Sequence, residues 1–364
     1  MKRFTGLSAV LLKEESTEMN GTMRALRYLE PGVVKVQEMP IPQPNEGEVL
    51  LKVDRCGICG SDVHGYLGLT GRRIPPMTLG HEFSAIVAET RPDTKKFAVG
   101  DKVVVQPIHF CGTCVNCKQG LTNMCLNKRF FGVLTVDGAM AEYIAVPEKL
   151  LYRVPQGVGG SVAALTEPYA VAYGSVKKAG DLGGKTVLII GAGAIGLCIL
   201  QMVLLQKPKM IVMCDLSDKR LENAKHMGAN ETINPKTENY LEKIEKLTDG
   251  LMMDISFEAV GVEATANQSI KALKVGGTAM WVGMSQKEMT INMQDIVCSA
   301  RAVIGSFNYT HKEFGEVVDL LGQGGMQASE LISEEVGLEG VLQALQNLHD
   351  HPDDYIKILI DPQK

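Results

Sequence analysis

The stretch that most narrows what this chain can fold into runs through residues 187–196. An apolar run, Val187-Leu188-Ile189-Ile190, passes directly into Gly191-Ala192-Gly193-Ala194-Ile195-Gly196 and then into a second apolar run of helical length. A strand that turns through spaced glycines into a helix is the repeating unit of a doubly wound sheet. Gly191 permits the tight turn, Gly193 lets the backbone approach a pyrophosphate, and Gly196 lets helix and strand pack closely. The helix N-terminus then offers amide donors and a partial positive charge, so an anion can be held without a basic side chain. Asp215 stands at the tip of the next strand, about twenty residues on, where a carboxylate accepts hydrogen bonds from ribose hydroxyls and repels a 2′-phosphate. The pattern predicts a dinucleotide site that favours NAD over NADP, with Lys219 and Arg220 close by as the features that oppose that preference. Glycines that merely make a tight turn are the plain alternative; a strand before, a helix after and an acid downstream argue against it.

The same rhythm continues beyond the motif. Residues 186–190, 194–206, 210–214, 217–227, 252–257, 263–273 and 278–282 alternate between strand and helix patterns, which predicts a parallel sheet covered on both faces. Upstream, short apolar runs at 49–53, 84–88, 102–105 and 142–146 are separated by Gly, Pro and Asp, the pattern of a β-rich segment with long loops. After about residue 309, two helical stretches and a strand at 355–360 are too short for a domain of their own and are expected to return to the first one. The expected division is therefore 1–170 with 311–364 as one domain and 171–310 as the nucleotide domain. A chain of 364 residues, 45% hydrophobic, has material for two cores.

Composition excludes other classes. Thirty-seven Lys and Arg against 42 Asp and Glu give a net charge of −5 with no long run of either sign, which argues against nucleic acid or anionic membrane as a partner. The apolar runs fall short of the ~20 residues of a membrane span. Near the start, the run at 7–12 is broken by Ser8 and followed by Lys13-Glu14-Glu15. No secretory signal is read there, and the expected location is the cytoplasm.

Of nine cysteines, Cys111, Cys114, Cys117 and Cys125 crowd into one stretch. Four thiolates can close a tetrahedron around zinc, which leaves no room for substrate, so such a site is structural. Free or paired thiols and an iron–sulfur site are the rivals, since thiolates serve both metals. Elsewhere, Gly57-Ile58-Cys59-Gly60-Ser61-Asp62-Val63-His64 and Gly80-His81-Glu82 place a thiolate, an imidazole and carboxylates in Gly-rich loops. Three protein ligands with a vacant fourth position suit a catalytic zinc. Singly these are ordinary loop residues; together, upstream of a dinucleotide fold, they point to chemistry.

These two segments, the four-cysteine lobe, Thr166-Glu167-Pro168 and the glycine motif occur in an order that resembles the zinc-dependent medium-chain dehydrogenase/reductase family from about Met23 onward. The likeness is closest to the polyol branch, typified by sorbitol, butanediol and galactitol-phosphate dehydrogenases. It implies a β-rich GroES-like catalytic domain joined to a Rossmann domain. It implies Cys59 and His81 as ligands of a catalytic zinc, with Glu82 and Glu167 as two carboxylates that alternate between ligation and holding the zinc water; which of them binds stays open. Glu167 stands where liver-type alcohol dehydrogenases carry a second cysteine, which separates the chain from that branch. Cys56 has no counterpart role and is read as structural. Asp62 is the implied partner that orients His81, and Ser61 and His64 occupy the positions of a proton relay through the nicotinamide ribose. Ala194, Ile195, Asp215 and Arg220 match cofactor contacts, and Val282, Gly283, Met284 and Ser306, at later strand ends, are expected to line the nicotinamide pocket. Tyr66 and Phe131 are read as aromatics flanking the substrate.

The implied activity is oxidation of a secondary hydroxyl of a polyol, sugar alcohol or diol to the ketone. Zinc would act as Lewis acid and NAD as hydride acceptor, with two zinc ions per chain. L-Threonine 3-dehydrogenase or a broad short-chain alcohol dehydrogenase is the alternative among enzymes, and an NAD(H)-binding zinc scaffold or redox sensor is the alternative outside them. Relatives imply a homodimer or homotetramer formed through the nucleotide domain. The residues before Met23 match nothing in the family and read as an upstream extension.

Overall fold

The strand Glu48–Gly57 buries Val49, Leu50, Leu51 and Val53 completely, because it lies in the middle of a sheet with neighbours on both sides. The structure, a computed structural model, describes residues 21–364, so the expectations about residues 1–20 lie outside it. The sheet runs in the order Leu151–Arg153, Lys102–Val105, Glu82–Glu89, Glu48–Gly57, Lys357–Asp361, Ile332–Gly337, and Tyr143–Pro147 also pairs with the central strand. Its last two strands come from the C-terminal end of the chain. They run parallel to each other around the helix Val341–Asp350, and Lys357–Asp361 meets Glu48–Gly57 antiparallel, with Ile360 opposite Cys56. A smaller sheet of Val33–Pro40, Thr22–Glu30 and Met77–Thr78 packs into the same core, through Val34, Leu26, Tyr28 and Met77.

The second sheet is wholly parallel, in the order Glu231–Ile233, Met210–Cys214, Thr186–Ile190, Met253–Glu258, Leu273–Trp281, Ala302–Gly305. Every residue of Thr186–Ile190 is buried, as a strand covered by helices on both faces requires. The sequence pattern places the fifth strand at 278–282, yet it begins at Leu273, and the preceding helix ends at Lys271. Leu273 pairs with Met253, the register then shifts, and Thr278 pairs with Ile255. Gly276, at φ +73°, supplies the left-handed turn of that irregularity.

The chain crosses between the two units as helix rather than as linker. Thr166–Ala179 leads out, His311–Gln323 leads back, and the two helices pack on each other. Phe314, Val317 and Leu321 of the second share a core cluster with Val187 and Leu197 of the nucleotide unit. The expected division at 170/171 falls inside the first helix, whose apolar residues belong to that shared core. Thr310 caps the second helix in a reciprocal box with Glu313. Across the seam, Asn123 Nδ2 donates to the Phe307 carbonyl at 2.7 Å, and the His311 backbone N–H donates to Thr122 Oγ1 at 2.7 Å. Among the described residues, no helix is long and apolar enough to cross a membrane.

The tightest backbone approach lies where the glycine motif predicts it. A Cβ on Gly196 would stand 1.7 Å from the Gly191 carbonyl oxygen. Gly196→Ala is therefore expected to cost about 1–3 kcal/mol of overpacking strain, read as a lower denaturant midpoint at unchanged slope. A variant as stable as the parent would contradict this packing.

Candidate active site

Cys59 is the N-cap residue of the short helix Gly60–Tyr66, and its backbone N–H donates to Asp62 Oδ2 at 3.1 Å. Glu82 opens its strand directly opposite Gly57. Two glycines make the room: a Cβ on Gly57 would meet Glu82 Oε2 at 2.3 Å, and one on Gly80, at φ +98°, would meet Cys56 Sγ at 2.7 Å. As a result, donor atoms of Cys59, His81 and Glu82 all lie within 4.8 Å of one another, with His81 and Glu82 buried. Phe130 packs edge-on against the His81 ring at a centroid distance of 5.6 Å.

Three residues absent from the motifs hold this cluster. Lys357 Nζ donates to Glu82 Oε1 at 2.9 Å, to Oε2 at 2.7 Å and to the Ile58 carbonyl at 3.1 Å, with both side chains almost fully buried. Burial works against the lysine charge, but Glu82 and Cys59 outweigh it and hold the ammonium protonated well beyond its ordinary range. Arg73 donates to Asp62 Oδ1 at 2.8 Å and to Ser61 Oγ at 3.0 Å. Asp62 stands beside His81, with Oδ1 3.6 Å from Nδ1, yet its hydrogen bonds go to Arg73 and to the Cys59 backbone, and His81 Nδ1 has no hydrogen-bond partner among the described residues. Tyr309 donates its hydroxyl to Glu167 Oε1 at 2.9 Å.

Burial is the chief cause that pushes Glu167 up to about 8; His81 opposes it, and Glu82 and Cys59 reinforce it. Burial, followed by the charge of Glu82, likewise pushes the Cys59 thiol up to about 11. Glu167 faces the cluster electrostatically but falls outside the group of three converging donors. A thiol, an imidazole with an orphaned nitrogen and carboxyl groups crowded into one buried space form a donor set that a divalent cation would complete by displacing protons.

The four-cysteine lobe is a second such set. All four side chains are free thiols with their sulfurs within 4.8 Å of one another, so the paired-thiol alternative is not realised. Sγ–Sγ distances of 3.5 Å (Cys111–Cys125) and 4.0 Å (Cys111–Cys117, Cys114–Cys125) compare with edges of about 3.8 Å for a tetrahedron with ~2.3 Å zinc–sulfur bonds. A multi-iron cluster, with sulfides of its own, does not fit between sulfurs this close; a single ion does. The Cys111 N–H points at Cys125 Sγ (3.2 Å) and the Cys114 N–H at Cys111 Sγ (3.4 Å), the donors that stabilise thiolates.

At the glycine motif, Gly191 adopts φ +97° and Gly193 is the N-cap of Ala194–Leu204. Asp215 Oδ2 accepts from the Ala192 N–H at 2.7 Å and Oδ1 from the Ser217 N–H at 3.0 Å, so this acid also braces the glycine turn. A cleft of about 370 Å³ opens beside it, lined among others by Gly191, Asp215, Arg220, Lys236 and Val260. Val282 and Ser306 stand just past the ends of adjacent strands, their N–H groups donating to the Glu258 and Trp281 carbonyls at 2.9 and 2.8 Å. Gly283 packs against the Gly261 backbone, Met284 is exposed, and Ile195 is half-buried against the core. Three residues beyond Ser306 lies Tyr309, so this edge of the nucleotide sheet adjoins the Cys59–His81–Glu82 cluster. Ser61 and His64 are half-buried, three residues apart on one helix. Tyr66 and Phe131, expected to flank the substrate, pack into the first-domain core instead. It is Phe130, the last residue of the two-residue strand Arg129–Phe130, that meets the His81 ring.

Comparison with known proteins matches residues 45–156 to the alcohol dehydrogenase GroES-like domain and residues 194–323 to the zinc-binding dehydrogenase domain. The sorbitol dehydrogenase of Bacillus subtilis (strain 168) is 30% identical over 335 residues, 91% of this chain and 95% of that protein. The (R,R)-butanediol dehydrogenase of Saccharomyces cerevisiae is 31% identical, covering 93% of this chain and 98% of that one. Among solved structures, a protein of Sinorhizobium meliloti 1021 described as a zinc-binding dehydrogenase and bound to NADP superposes with a TM-score of 0.86 at 30% identity, over 94% of this chain and all of that one.

The Glu167 carboxyl provides a test of the cluster's electrostatics. Its folded pKa of about 8 lies above the ordinary 4.5, so between those values the folded metal-free chain keeps a proton that the unfolded chain has lost. This group's contribution to stability then falls as pH rises through that window. In chelator-treated protein, the stability advantage of Glu167→Gln over the parent should grow from pH ~5 to pH ~8, measured by denaturant unfolding at each pH. A difference that stays flat would refute the burial argument.

Proposed function

Since the chain belongs to the zinc-dependent medium-chain dehydrogenase family, in its polyol-type branch, we propose that it oxidises a secondary hydroxyl of a polyol, sugar alcohol or diol to the ketone, with NAD as hydride acceptor. The observation that carries this reading is the contact between the two units: Tyr309, just beyond the nicotinamide edge of the nucleotide sheet, is bonded to Glu167 beside Cys59, His81 and Glu82.

Cys59, His81 and Glu82 would hold the catalytic zinc, and Cys111, Cys114, Cys117 and Cys125 a structural one. When bound, the catalytic ion supplies Lewis acidity that lowers the pKa of the substrate hydroxyl, and the nicotinamide accepts the hydride. The chain's own residues do the rest. Lys357 balances the charge of Glu82 and restrains its carboxylate. Glu167, kept near neutral pKa by burial and tethered by Tyr309, is matched to hold and return a proton next to the reacting carbon. Arg73 keeps Ser61 in place, and Ser61 with His64 one turn further offers the proton a way to solvent. Asp215 is aimed at the ribose hydroxyls, which favours NAD. Val282, Gly283 and Ser306, at the ends of adjacent strands, would line the nicotinamide pocket.

Purified chain should contain two zinc ions and reduce NAD in the presence of some member of a panel of sorbitol, xylitol, 2,3-butanediol, threonine and short alcohols. Cys59→Ser should lower the metal count to one and turnover by at least about a thousandfold, the scale of an essential group, while NAD binding by calorimetry persists. A parent with only the four-cysteine zinc and no turnover on any panel member would favour a scaffold; threonine as the preferred substrate would favour the threonine 3-dehydrogenase alternative.

Self-association through the nucleotide domain is also proposed. Ala302–Gly305 is the edge strand of its sheet, with Met293 and Val297 exposed beside it. Sedimentation should show a dimer or tetramer in the parent and a shift toward monomer in Ile304→Lys; a parent that sediments as a monomer at micromolar concentration overturns this.

A further inference from the structure

We infer that discrimination against a 2′-phosphorylated cofactor is exercised in part by the first domain, through the acidic turn at residues 352–354, which occupies the basic groups beside the adenosine cleft. The inference rests on the proposed use of the cleft for a dinucleotide and goes beyond the role of Asp215.

The cleft beside Gly191 is built from the nucleotide domain except at one point. Asp353, from the segment between the helix Val341–Asp350 and the strand Lys357–Asp361, also lines it. Two basic residues open the neighbouring helix Asp218–His226, where a 2′-phosphate would look for a cation: Lys219 and Arg220. The turn takes both. Arg220 Nε donates to the Pro352 carbonyl at 3.1 Å, Nη2 donates to the same oxygen, and Asp353 Oδ1 lies 3.7 Å from Nε. Arg220 Nη1 faces Asp215 Oδ2 at 4.0 Å, and Lys219 Nζ pairs with Asp354 Oδ1 at 2.9 Å.

A 2′-phosphate needs a guanidinium with two parallel N–H donors free and a locally positive field. Here the fork is turned to a carbonyl and flanked by two carboxylates, and the second cation is neutralised by a third. Dianionic phosphate would have to displace these contacts and approach Asp215 and Asp353 together. A ribose 2′-hydroxyl meets no such obstacle, because it can donate to a carboxylate. This is selectivity by repulsion and by pre-engaged donors rather than by an added attraction. Lys236 is the remaining basic residue lining the cleft among the described residues, and it is common to every comparison below.

Asp353 and Asp354 have side chains 59% and 57% exposed, so replacing them leaves the core intact. The test is calorimetric binding of adenosine 2′,5′-bisphosphate and of 5′-AMP to the full-length parent and to Asp353→Ser/Asp354→Ser. The affinity ratio of bisphosphate to AMP should rise at least about threefold in the variant at low salt and less at high salt, as expected for exposed charges, with AMP affinity unchanged within about twofold. An unchanged ratio, or an equal loss of both ligands, overturns the inference. The parent's own ratio judges the separate reading of NAD preference: a parent that binds the bisphosphate more tightly refutes that preference, while the change on substitution still decides the role of the turn.

Discussion

The buried ion pair between Lys357 and Glu82 is the constraint from which the rest of the molecule can be read. A carboxylate enclosed beside a thiol and a second glutamate is costly unless a cation reaches it. That cation arrives from a strand 275 residues further along the chain. The first sheet is therefore complete only when the C-terminal strand has returned to lie beside Glu48–Gly57, with the entire nucleotide unit inserted between its halves. Gly57 belongs to the same constraint, since a side chain there would collide with the Glu82 carboxylate, and Gly80, next to His81, leaves room for Cys56 and Met140.

The two sites meet because the crossings between the units are helical. The outgoing helix carries Glu167 in its first turn, and the returning one begins just after Tyr309, so the hydrogen bond between these residues joins the seam at the point where chemistry would occur. The four-cysteine lobe is fastened to the same seam by Asn123 and Thr122. The first domain contributes the Cys59–His81–Glu82 cluster to the seam and Asp353 to the cleft beside Gly191, while the second domain supplies the glycine turn.

Much of this was legible in the residues. The glycine motif, the alternating strands and helices and the four-cysteine spacing are local patterns, set by periodicity and by turn chemistry within a few residues. The clustering of Cys59, His81 and Glu82 could be anticipated from motif order, although their separation in sequence hides the distance between them. Lys357 leaves a trace in the sequence, since a lone charge inside the apolar run 355–360 is out of place unless it has a buried partner. Arg73 and Tyr309 left none, because an arginine in a loop and a tyrosine before a helix are ordinary in any sequence. That Phe130 rather than Phe131 meets His81 shows the limit of reading aromatics by position, since the path of the chain decides which ring reaches a site.

Sequence by itself therefore determined the two kinds of domain, the turn that can cradle a pyrophosphate and the donor types available for metal, because each follows from short-range sterics and from the chemistry of single residues. Only the tertiary structure decided which carboxylate is charge-balanced by lysine and which is held protonated by burial, and which basic groups beside the cleft are already paired. These depend on burial and on partners that approach from distant parts of the chain, and the energy of a buried charge is set by its neighbours in space rather than by its neighbours in sequence.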